Sequence, residues 1–221
     1  MTPHFFDIPD EDIIFLKDQW DNLTAPYTSN KIVRDNIFRV LQGKYTETSR
    51  AYHNLSHIKT LLNLLESFRE QVQDYDAIRF SIWFHDVIYD TKRNDNEAES
   101  AGMAARMMDL LHVNPEITHL TGNLILATKD HGGMNLSYDA KLFLDLDLSI
   151  LGTNEETYKE YSKAIRKEYA WVPASAYREG RLKVLKRFIE RDDIYFTNEM
   201  QAQYEIQARK NIRAEIEALD A

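Results

Sequence analysis

Apolar residues recur at helical spacing along nearly the whole chain, and little interrupts them: 221 residues hold only 7 glycines and 5 prolines. A many-stranded protein needs more turn punctuation than that. The pattern predicts an all-α fold, a single helical bundle of about ten helices over residues 1–221. Pro9 and the acids after it open the first helix, which carries Ile13, Ile14, Leu16, Trp20 and Leu23. Ser29 or Asn30 caps a second that buries Ile32, Val33, Ile37, Phe38 and Leu41 and is closed by Gly43. Leu61, Leu62, Leu64, Leu65 and Phe68 form a broad stripe after His53. Residues 78–88 are denser still, which predicts a buried central helix, with a strand as the competing reading of so short a run. Helical patterns follow over 96–111, 117–128, 140–151, 155–171 and 178–189. The last, over 198–219, is so charged that it reads as a projecting, solvated helix. Gly132-Gly133 reads as a tight turn.

Composition narrows the partners. With 43% hydrophobic and 29% charged residues the chain is ordinarily globular rather than disordered. Its net charge of −9 repels a phosphate polymer, so polymeric nucleic acid is not the expected partner. A small phosphorylated ligand stays open, because a bound divalent cation reverses the local field. No cysteine is present, which removes disulfides, thiolate nucleophiles and sulfur metal sites. Residues 1–12 lack the basic-then-apolar pattern of a signal peptide, and no apolar run is long enough to span a bilayer. The expectation is a cytoplasmic protein with no membrane partner, open to forming a homodimer. His4, His112 and His119 read as surface histidines, and Arg166, Glu168 and Arg181 as structural ion pairs.

Three segments carry chemistry. His85-Asp86 falls in the most apolar stretch, where an unpaired carboxylate is expensive to bury and metal coordination offsets the cost. In Tyr52-His53-Asn54-Leu55-Ser56-His57, the two histidines share a face if the segment is helical. That spacing suits two ligands of one metal, or one ligand beside one acid–base group. In Phe143-Leu144-Asp145-Leu146-Asp147-Leu148-Ser149 two carboxylates point about 200° apart, so one helix face presents only one of them. Lys129 and His131, at an expected helix end, are candidates to reach the phosphate of a substrate or a second metal, and Arg50, before the Tyr-His-Asn run, to orient phosphate or pair with an acid. Tyr89 and Asp90 are candidates for a pocket mouth.

The order His57, then His85-Asp86, then an aspartate on a later helix resembles the HD superfamily of metal-dependent phosphohydrolases. Tyr52-His53-Asn54 with His57, and Asp147-Leu148-Ser149, are similar to the corresponding runs of cyclic-nucleotide phosphodiesterases; the second favours Asp147 over Asp145. Over 50–197 the chain looks most like the small bacterial predicted phosphohydrolases of that superfamily, through Tyr52-His53-Asn54, Phe84-His85-Asp86-Val87-Ile88-Tyr89, Asn96-Glu97 with Ser100-Ala101, and Gly180-Arg181. Val87-Ile88-Tyr89 replaces the phosphodiesterases' Val-Asp-His, and no glutamine pocket is evident, so cyclic-nucleotide specificity is not implied.

The resemblance implies an HD-domain bundle, with the metal site built from 50–150 and an accessory helical part at 154–221. It implies His57, His85, Asp86 and Asp147 as metal ligands, and His53 and Asp86 as catalytic residues. Such a mixed nitrogen and oxygen set suits one or two ions of Mn, Fe, Ni, Zn or Mg. The expected function is hydrolysis of a small phosphoester by metal-bound hydroxide, with His53 as general acid. The alternatives are a di-iron oxygenase on the same scaffold, or a regulatory module that binds a phosphorylated ligand without turnover.

Overall fold

The computed structural model describes residues 8–132 and 136–220; His4 and Gly133 lie outside them. Among the described residues there are ten α-helices, a 3₁₀ turn and no strand, as the scarcity of turn residues predicts. None of these helices is long and apolar enough to cross a membrane. Contacts divide the chain into two compact units, Met1–Ala140 and Lys141–Ala221, a division inside a helix and earlier than the expected accessory part at 154.

The first unit holds α1 (Asp10–Thr24), α2 (Lys31–Tyr45), α3 (Leu55–Glu66), α4 (Tyr75–Phe84), α5 (Asn96–Leu110) and α6 (Pro115–Ala127). It also holds the first residues of α7 (Tyr138–Asp147). Local signals set the ends. Pro9 precedes α1, whose first turn is acidic, and the Asn30 side chain accepts the N–H of Val33 at the start of α2. Gly43 does not close α2: the helix runs on to Tyr45, and the Thr46 hydroxyl donates to the Gln42 carbonyl. The apolar stripes are mostly buried, but Ile32, expected inward, is 72% exposed, and Ile14 is 65% exposed.

Every residue of α4 after Asp76 is buried. It packs against α3, α5 and α6 and carries half of an aromatic cluster. Trp83 meets Trp20 edge-on at 5.6 Å and Phe38 at 6.0 Å. The indole N–H of Trp20 donates to the Arg34 carbonyl, whereas that of Trp83 is buried without a hydrogen-bond partner. Asp139, in the first turn of α7, accepts the N–H groups of Gln73 and Asp74 and so fixes the turn that begins α4.

The second unit comprises the rest of α7, the 3₁₀ turn (Leu148–Gly152), α8 (Glu155–Glu168), α9 (Ala174–Ile189) and α10 (Asn198–Asp220). Helix α10 is not the projecting, solvated helix its charge suggested: it packs on the 3₁₀ turn and on α9. The Asn211 amide donates to the carbonyls of Leu151 and Thr153. Gly152 lets the backbones meet, since a Cβ there would lie 2.5 Å from Cβ of Tyr204. One turn further along the same face of α10, Glu215 accepts a two-pronged bond from Arg181 of α9, at 2.8 and 3.0 Å, and a bond from the Ser162 hydroxyl of α8. Burial alone would raise the Glu215 carboxyl, but Arg181 and the hydroxyls of Tyr158 and Ser162 outweigh it and hold it below its ordinary range. Arg181 is therefore a structural ion pair, as expected. Arg166 instead donates to the main-chain carbonyls of Tyr169 and Val172. Trp171, just beyond α8, is 52% exposed.

Candidate metal centre

Two chain ends meet in the first unit. The dense run at 78–88 ends as a helix at Phe84, so His85 occupies the C-terminal cap of α4 and Asp86 the turn beyond it. The pair therefore sits at the end of the apolar helix rather than inside it. The segment 51–54 is likewise not helical: Asn54 caps α3 by accepting the N–H of Ser56. His57 thus lies in the first turn of α3, and His53 precedes the helix. The expected shared helix face does not exist, yet the turn still leaves the two rings 6.0 Å apart.

Burial and hydrogen bonding orient the histidines. His57 is 4% exposed and His85 1%. Nδ1 of His85 lies 3.0 Å from the Ile82 carbonyl, which can only accept, so that nitrogen carries the proton. Nε2 lies on the opposite edge of the ring. It faces Nε2 of His57 at 3.3 Å and Oδ2 of Asp86 at 3.1 Å. Two imidazole nitrogens and a carboxylate oxygen this close together make a donor set that a divalent cation could share. His57 and His85 belong to a group of side chains that could hold a metal ion, a group that does not include Asp86.

His53 stands beside this pair. Its ring stacks on Tyr89 with centroids 4.3 Å apart, and Tyr52 meets both histidine rings at 5.0 Å. Arg50, expected to orient substrate, is buried instead, and its guanidinium reaches the carbonyls of His53, Asp86 and Val87. Lys129 follows the end of α6, and its ammonium donates to the Asn94 carbonyl at 3.0 Å, tying down the loop before α5. His131, two residues on, adopts a left-handed backbone with φ of 44°.

In the second unit the two carboxylates of α7 part company. Asp145 is fully buried and accepts the N–H groups of Phe196 and Thr197 and the Thr197 hydroxyl, at 2.7–2.8 Å. Burial nevertheless pushes its carboxyl up to about 6. Its oxygens are committed to the start of α10. Asp147, the last residue of α7, is half-buried.

An all-helical chain with a buried pair of metal-competent histidines is the class that fold and site define. The chain matches no protein-family model, no curated protein and no solved structure.

Proposed function

We propose that the protein is a metal-dependent phosphohydrolase acting on a small phosphoester, a nucleotide or a related monoester or diester. The observation that carries the reading is His85, its Nδ1 set against the Ile82 carbonyl and its Nε2 turned toward His57 and Asp86. The donors fit a divalent cation, with imidazole and carboxylate and no sulfur. His57, His85 and Asp86 would hold it. Asp145, whose oxygens are already committed, is left out of the set. When bound, the cation would supply acidification of a water and screening of phosphoryl charge.

The chain's own residues do the rest. Ile82 keeps the proton off the nitrogen of His85 that faces the site. Tyr89 holds the His53 ring beside the ligand pair, where an imidazole proton can pass to the departing oxygen. The acidic surface favours a compact substrate over a polymer.

The test is hydrolysis of a panel of alkyl, nucleotide and nitrophenyl phosphoesters by protein loaded with Mn²⁺, Ni²⁺ or Zn²⁺, alongside metal analysis. Turnover that depends on the metal is expected, and Asp86→Ala should lose most of both metal and turnover. Full metal occupancy in Asp86→Ala would remove that residue from the ligand set. A tightly held iron pair with no phosphoester turnover would overturn the hydrolase reading.

A further inference from the structure

Arg50 lies in the turn between α2 and α3, and its side chain has no exposed surface. Nη1 donates to the His53 carbonyl at 3.2 Å and to the Asp86 carbonyl at 2.6 Å, and Nη2 donates to the Val87 carbonyl at 3.1 Å. Nε is buried without a hydrogen-bond partner, and the nearest carboxylate oxygen paired with it, on half-exposed Glu47, is 3.6 Å away. Rings of Tyr45 and Tyr89 lie 5.0 and 5.5 Å from Cζ. Burying a guanidinium is costly unless its donors are used. Those used here end on main-chain carbonyls of the two segments that carry the candidate site. One is the turn presenting His53 and His57; the other is the turn just beyond the C-terminal end of α4, which presents His85 and Asp86. A cation at that end also suits the helix dipole. A lysine could not replace it, because an ammonium has no planar fork to reach carbonyls on both segments at once.

We propose that Arg50 is the positioning residue of the centre, fastening the His53 turn to the His85–Asp86 turn so that the two histidines face each other before any ligand arrives. The inference deepens the metal reading and rests on it for its functional consequence. It does not give Arg50 a contact with substrate.

The first experiment follows amide hydrogen exchange in the metal-free full-length protein carrying Arg50→Lys. Exchange should quicken in peptides covering 50–57 and 85–89 and stay at parental rates in α9 and α10. Mn²⁺ titration of the same variant should then show affinity weakened about 10–100-fold, as for other groups that support ligands from behind. Arg50→Ala should show the same loss and recover part of it in millimolar guanidinium, but not in ammonium. Unchanged exchange in both peptides, or an even rise along the chain, would overturn the proposal. So would intact Mn²⁺ affinity with only weaker binding of inorganic phosphate, which would make Arg50 a substrate residue. If the parent protein binds no Mn²⁺, the metal reading fails, and the exchange pattern still decides whether Arg50 joins the two segments.

Discussion

His53 and Asp145 show how differently two polar side chains can be used. His53 keeps its ring on Tyr89 beside His57, so on the proposed reading His53→Ala should retain metal and fold while losing roughly 10²–10⁴ in rate on an alkyl phosphoester. The loss should shrink on a nitrophenyl ester, whose leaving group hardly needs a proton. Equal losses on both, measured side by side, would make His53 a positioning group. Asp145 faces three donors, so Asp145→Asn turns an amide NH₂ toward at least one of them. We expect a cost of about 1–3 kcal/mol in stability with Mn²⁺ affinity unchanged, read by thermal melts and titration. Loss of the metal with little loss of stability would reverse the choice between the two aspartates. At this scale the sequence named the chemistry-bearing residue types but not all their uses. Arg50 read as a phosphate ligand because a sequence shows its charge and hides the main-chain carbonyls that absorb it.

Elements were more legible than residues, and their ends less so than their middles. Periodicity located the helices because it reports which face meets the core. It placed His85 inside α4 because Val87 and Ile88 remain apolar beyond the last helical turn, so hydropathy gives no stop signal there. It made α10 look solvated because Asn211 and the Gly152–Tyr204 contact, which dock it, carry no hydropathic weight. The docking of α8, α9 and α10 around Glu215 gives a pH prediction. A carboxyl held below its ordinary range stabilises the fold fully above its unfolded value of about 4.5 and loses that contribution as pH falls through the lower folded value. Glu215→Gln leaves Arg181 buried without its partner, so it should melt earlier near neutrality, by about 3 kcal/mol. The gap between parent and variant should close as melts are taken to progressively lower pH below about 4.5. A gap independent of pH would mean the carboxylate charge contributes nothing.

For the whole molecule, the three tryptophans are divided unevenly between the units. Trp20 and Trp83 are sealed in the aromatic cluster of the first unit, and Trp171 of the second is half in water. Intrinsic emission is therefore almost a private channel to residues 1–140: blue in the native state from the sealed pair, with Trp171 already emitting like a wetted indole. Far-ultraviolet dichroism instead weighs all ten helices. Superimposable melts by the two signals would show the chain unfolding as a single cooperative body, whereas separated midpoints would time the two units independently. Trp83 also precedes His85 by two residues and its indole N–H has no partner, so its colour and lifetime should respond when a cation settles on the histidines. The protein thus carries, without any added label, its own optical gauge of the end of the chain where its chemistry is expected.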